Sequence, residues 1–246
     1  MSVKKKIFSF EEGEVLLVDK PLNWTSFNVV SSIKHAVKYV TEKKKIKVGH
    51  AGTLDPLATG LLILCTGKMT KQIEKFQAKE KEYTGTFVIG ATTPCYDLEK
   101  DIDRTFDISH ITEDMIRENV DHFIGEIEQT PPIFSAIKID GKRAYDYARN
   151  DEEVKIKSRK VTISEFEITR IELPEIDFRV VCSKGTYIRS LARDFGESLS
   201  NGAYLKNLKR TRIGDFELLD AWGVNELKEH IRSLKDNKES KEIEKG

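Results

Sequence analysis

From Val161 to Cys182 apolar and polar residues alternate: Val161 and Ile163, then Phe166 and Ile168, then Ile176, Phe178, Val180 and Cys182. A period of two sends successive side chains to opposite faces of an extended chain, so each run requires a sheet with one covered face. Pro174 separates the two runs, and a long antiparallel hairpin turning there is expected. Tyr83, Gly85, Phe87 and Ile89 repeat the alternation. Other segments have helical spacing. Val29, Val30, Ile33, Val37 and Val40 follow a capping Thr25 or Ser26, and Ile116, Val120, Phe123 and Ile124 precede a terminating Gly125. Ser190 to Leu199 and Val224 to Leu234 complete the helices, with one more carrying Ile73 and Phe76. Val15 to Val18, broken by Lys20-Pro21, and Leu61 to Cys65 are short buried strands. Strands and helices mix without the rhythm of a parallel sheet. The expected class is therefore α+β, with a mainly antiparallel mixed central sheet flanked by helices.

A chain of 246 residues can form one large domain or two small ones. Its longest apolar stretch, Leu61 to Cys65, is far short of the roughly 20 residues that span a bilayer. No secretory apolar segment follows Lys4, Lys5 and Lys6, because Glu11, Glu12 and Glu14 interrupt it. Cys65, Cys95 and Cys182 form neither a disulfide framework nor a zinc pattern. A cytoplasmic protein without a membrane partner is expected.

The formal net charge is zero but unevenly distributed: +6 over residues 1–90, −8 over 91–130, +4 over 131–215 and −2 thereafter. A polyanion responds to the local field, so basic surface and a neutral total are compatible. The acidic stretch 97–107 reads as a solvated loop, and the charged end KDNKESKEIEKG as disordered.

The segment GHAGTLDPLATG, residues 49–60, sets His50 and Asp55 five positions apart among glycines. Asp-Pro suits an ordinary turn, and a histidine is often structural. Gly49, Gly52 and Gly60 nevertheless allow sharp bending and leave room for a ligand. In KGTYIRSL (184–191), a strand end would put Tyr187 and Arg189 on one side. A tyrosine can stack on a base and a guanidinium can fork onto a carboxylate or phosphate; a half-exposed sheet face would use the same residues. KNLKRTR (206–212) groups Lys206, Lys209, Arg210 and Arg212 around Leu208, either as a solvated basic strand or as a phosphate track. PPIFSAIKIDGKRAYDYAR (131–149) combines prolines, basic residues, Tyr145 and Tyr147 in a way that suits RNA, or core packing. TGKMTK lacks the spacing and the hydroxyl of a phosphate loop, and neither a metal cluster nor a dinucleotide fingerprint is present. No cofactor and no metal are expected.

Together LLVDKPLNWTS (16–26), GHAGTLDPLATG, PPIFSAIKIDGKRAYDYAR and CSKGTYIRSLARDFG (182–196), in this order, resemble the TruB family of tRNA pseudouridine synthases from about residue 14 to about residue 230. The resemblance implies isomerisation of the T-loop uridine, position 55 of tRNA, by base flipping. It implies Asp55 as the catalytic carboxylate, His50 as the residue inserted into the T-loop, and Tyr83 as the ring packed on the target base. It also implies Tyr187, Arg189 as the ion-pair partner of Asp55, and Leu208 lining the substrate pocket. The implied layout is a pseudouridine synthase catalytic domain over 1–225 with a mobile RNA-gripping arm at 130–155. A short helix and charged tail at 226–246 would follow, without the additional RNA-binding PUA domain of many relatives. Pro94 and Cys95 depart from the family pattern and leave the role of Asp97 open.

The partner implied is the tRNA T-arm, with no obligate protein partner and a monomer as the default. An RNA-folding module without chemistry would not need Asp55 beside phosphate. A glycosidase would need a second positioned carboxylate.

Overall fold

The computed structural model describes residues 8–135, 137–139, 142–143, 147 and 156–243. In chain order the elements are β1 (Val15–Lys20), α1 (Ser26–Thr41), β2 (Val48–His50), β3 (Ala58–Thr66), α2 (Ile73–Ala78), β4 (Lys81–Ile89), β5 (Ala91–Thr92) and β6 (Arg104–Thr105). They continue with α3 (Glu113–Val120), β7 (Gly125–Gln129), β8 (Lys138–Ile139), β9 (Lys142–Arg143), β10 (Arg159–Glu172) and β11 (Glu175–Cys182). The last are α4 (Ile188–Ser198), β12 (Ala203–Ile213), β13 (Phe216–Glu217), β14 (Trp222–Gly223) and α5 (Val224–Ile243). The chain forms two compact units, one of Met1–Lys79 with Arg210–Gly246 and one of Glu80–Lys209.

In the first unit β3 pairs antiparallel with β1, Val18 opposite Leu62, and with β2, His50 opposite Leu64. β14 runs parallel to β1. Both faces of β3 are covered. Leu62 and Leu64 join Leu16 and Val18 in a core with Val29, Ile33 and Val37 of α1 and Leu227 and Ile231 of α5. Leu61, Ile63 and Cys65 pack on the other side with Ile213, Ile73 and Phe76. Burial on both faces explains why this strand is an unbroken apolar run in the sequence. Thr25 caps α1: its hydroxyl accepts the Asn28 N–H at 3.0 Å, and the Asn28 side chain accepts the Thr25 N–H at 2.9 Å. α5 continues to Ile243, so the charged segment expected to be disordered is helical to that point. Its Lys and Glu residues have good helix propensity and no Pro or Gly interrupts them before Gly246.

In the second unit the expected hairpin is present, with Ile168 opposite Phe178 and its turn at Leu173 and Pro174. β4 pairs with β11, and β7 with β10. Phe87, Phe166 and Phe178 join Phe123 and Phe195 in an aromatic core, with the Phe87 and Phe178 rings stacked 4.1 Å apart. Gly85 makes that stack possible. It lies opposite Phe178, where a Cβ would come within 2.9 Å of the ring and 2.5 Å of the Asn207 carbonyl oxygen. Outward from the core, Arg179 pairs with Glu82 at 3.1 Å and Glu165 at 2.7 Å.

The α+β class and the mainly antiparallel pairing match expectation. Besides the helical C-terminal segment, two local expectations do not hold. The acidic stretch is not wholly solvated, because Asp97 is buried at its start. KGTYIRSL is not a strand end: Tyr187 is the N-cap of α4 and Arg189 lies in its first turn. Hydrogen bonding of the Leu191 N–H to the Tyr187 carbonyl closes that turn at 3.0 Å. Of the expected arm, β8 and β9 form a two-stranded antiparallel pair, Lys138 opposite Arg143; most of 144–155, Tyr145 included, lies outside the described residues. Among the described residues no helix is long and apolar enough to cross a membrane.

Candidate active site

The segment 49–60 is held by the one at 16–26, two stretches that look unrelated in sequence. Ser26, at the start of α1, accepts the Leu54 N–H at 2.9 Å and donates its hydroxyl to the Leu54 carbonyl at 3.2 Å. One residue beyond Asp55, the Pro56 carbonyl accepts the Asn23 N–H at 2.9 Å and the Lys20 ammonium at 3.3 Å. Asp55 itself is half-buried between these anchors, and its carbonyl accepts the Ala58 N–H at 3.1 Å. The aspartate occupies a turn, as Asp-Pro alone suggests, but one fixed from both sides.

Two buried cations support this loop. Lys20 is fully buried and also donates to the Pro21 and Trp24 carbonyls at 2.9 and 2.5 Å. Burial brings its pKa down to about 8, with the charge of Asp55 opposing that fall and the charge of Arg210 adding to it. Arg210, only 1% exposed, donates Nε to the Leu61 carbonyl at 2.8 Å and Nη2 to the Gly52 carbonyl at 3.1 Å. It is therefore no part of a solvated basic strand or phosphate track. Gly60 allows this packing: its φ is +100°, and a Cβ there would fall 2.3 Å from the Arg210 carbonyl oxygen. The close approach that this glycine permits is to the protein's own backbone.

Removing Arg210 should expose that dependence. Arg210→Met leaves two buried carbonyls without their donors, and a stability loss of about 2–4 kcal/mol is expected. Urea denaturation would measure it, and a loss below about 0.5 kcal/mol would show that the loop holds without this cation.

His50 ends β2 and is half-buried. Burial and the nearby charge of Arg210 lower its pKa below the usual imidazole value, only partly offset by a hydrogen bond with the Gly52 backbone. Both effects favour the uncharged ring. A groove of about 410 Å³, lined by Phe27, Lys34 and Lys38 of α1 together with Gly49, opens beside it.

The remaining sequence candidates belong to the second unit. Tyr83 is buried on β4, opposite Val180. Leu208 is half-buried on β12. Tyr187 is gripped through its backbone by the buried Gln129, whose side chain accepts the Tyr187 N–H at 2.7 Å and donates to its carbonyl at 3.1 Å. The Arg159 guanidinium covers one face of the Tyr187 ring, 4.8 Å from its centroid. A base stacking on Tyr187 has only the other face.

Arg189 is buried beside Asp97. Its Nε lies 3.5 Å from Asp97 Oδ2, with both side chains about 5% exposed or less. Nη1 donates to the Cys95 carbonyl at 3.3 Å and Nη2 to the Phe134 carbonyl at 2.9 Å. The Cys95 Sγ and the Thr93 hydroxyl in turn hold the Asp97 carbonyl, at 3.3 and 2.7 Å. The unusual Cys95 thus contributes to fixing Asp97, and burial pushes its thiol pKa up.

Sequence reasoning misses Lys20, Gln129 and Arg159 as site residues, and reads Arg210 only as part of a solvated basic strand or a phosphate track. Lys20 carries one local signal, the Lys-Pro that ends β1, and that signal indicates a strand break.

The fold has a solved counterpart in a Cbf5-Nop10-Gar1 complex, with a TM-score of 0.66 and 30% identity over 87% of this chain. This chain spans 53% of that one. Residues 38–188 match the model of the TruB family pseudouridylate synthase N-terminal domain, and the chain belongs to that family. Among its relatives, the tRNA pseudouridine synthase B of Flavobacterium johnsoniae is 60% identical over 90% of this chain and 97% of its own length. The tRNA pseudouridine synthase B of Phocaeicola vulgatus is 55% identical over 96% and 98%.

Proposed function

We propose that this chain isomerises the T-loop uridine at position 55 of tRNA to pseudouridine, flipping the base out of its stack and acting on it through the carboxylate of Asp55. The observation that carries the isomerase activity and its tRNA substrate is the 55–60% identity to synthases of that name over nearly their whole length. Pseudouridine formation breaks one glycosidic bond and makes another within the same nucleotide, so no redox partner is consumed. A single positioned carboxylate suffices, with Arg189 as its counter-ion as the family motif implies.

Extruding a stacked base costs a few kcal/mol, which substitute contacts must offset. His50, whose surroundings favour the uncharged ring, suits insertion into the vacated stack. Tyr83 and Leu208 suit apolar contact with the base, and the segment 130–155 suits a grip on the T-arm. A cytoplasmic monomer completes the proposal. The direct test uses T-arm RNA tritiated at carbon 5 of the target uridine, because formation of the new carbon–carbon bond expels that hydrogen. Release dependent on the protein is expected; a folded T-arm that keeps its label would overturn the proposal.

A further inference from the structure

Arg159 combines three features that a purely structural arginine seldom shows together. Its guanidinium is held in place over the Tyr187 ring, 4.8 Å from the centroid, and hydrogen-bonded to the Gly185 carbonyl. Its Nε is buried without a hydrogen-bond partner. Among the described residues no carboxylate pairs with it, although its neighbour Lys160 pairs with Glu126 at 2.7 Å. The Tyr187 beneath it is equally fixed, because Gln129 opposite Arg159 in the β7–β10 register grips the tyrosine backbone from both sides. A guanidinium held on an aromatic face, with no carboxylate paired to it among the described residues, is ready to receive an anion.

We infer that Arg159 is a phosphate-binding residue, engaging a backbone phosphate of the substrate RNA next to the nucleotide that meets Tyr187. This rests on the reading of the chain as a tRNA pseudouridine synthase and adds a binding residue that the family motifs quoted above do not include. The chemistry fits a phosphodiester: the planar fork matches two phosphate oxygens, and the contacts with Tyr187 and Gly185 already restrict the fork's motion. The position fits as well, since Arg159 lies close in sequence to the segment 130–155 expected to grip the T-arm.

The test is the salt dependence of T-arm RNA binding by the full chain, measured by filter binding for wild type, Arg159→Gln and Arg159→Lys. One lost phosphate contact flattens the slope of log K against log salt by about 0.7–0.9. Arg159→Gln should show that change, bind RNA about tenfold more weakly at low salt, and raise KM more than it lowers kcat. Arg159→Lys should keep the slope while losing part of the affinity. A neutral methylphosphonate at the contacted position should weaken wild type and leave Arg159→Gln unaffected. An unchanged slope in Arg159→Gln, with lost thermal stability or a pure kcat defect, would make Arg159 a staple for Tyr187 and overturn the inference. Tritium release by wild type checks the underlying reading separately.

Discussion

Asp55→Asn is expected to eliminate tritium release, by at least about 10⁴-fold, while T-arm RNA binding stays within about tenfold, or roughly 1.4 kcal/mol. The substitution is nearly isosteric, and the anchors from Ser26, Asn23, Lys20 and Ala58 engage backbone atoms of the loop, not the carboxylate. Ser26 holds Leu54 through its backbone, Asn23 and Lys20 hold the Pro56 carbonyl, and the Ala58 N–H bonds to the backbone carbonyl of residue 55. What disappears is the negative charge. An amide is neither the nucleophile nor the base that a carboxylate provides. A secondary effect has a definite sign. The charge of Asp55 supports protonation of the buried Lys20, so its removal moves the Lys20 pKa further below about 8. The unfolded lysine is unchanged, so the folded state at neutral pH then carries a costlier ammonium, and a small drop in Tm should accompany the loss of activity. Turnover within about a hundredfold of wild type would remove Asp55 from the chemistry.

Periodicity made the frame of this protein readable before its coordinates. The hairpin around Pro174 and the capped helix after Thr25 follow from spacing that depends only on neighbouring residues. The site was readable only through motif resemblance, because its supports come from distant parts of the chain. Arg210 looked like one more residue of a basic strand, yet it is buried against carbonyls at positions 52 and 61. No local pattern marks a charge that finds its partners about 150 residues away. The strand reading of KGTYIRSL failed for a related reason. Gln129 holds the Tyr187 backbone in place just where α4 starts, and that grip is invisible in the eight residues themselves.

Arg189→Lys should reduce tritium release by about 100-fold or more even though the charge is kept. The three guanidinium nitrogens of Arg189 do different things: one faces the Asp97 carboxylate and two donate to the carbonyls of Cys95 and Phe134. A lysine carries one nitrogen on a flexible stem and cannot fill a planar fork of this kind. If it follows Asp97, the two carbonyls lose their donors; if it follows a carbonyl, the buried carboxylate is left poorly paired. Either choice costs about 1–3 kcal/mol of stability at the site and misplaces the charge by an ångström or more. Misplacement on that scale is enough to lose about two orders of magnitude in rate. The Asp97→Asn variant separates the two contributions. It keeps the arginine and its carbonyl contacts but removes the charge that faces Nε, so its loss should be smaller than that of Arg189→Lys if the planar fork is what the site requires. Equal losses would instead assign the effect to the Asp97–Arg189 charge pair, and near-normal turnover by Arg189→Lys would remove Arg189 from the active site altogether.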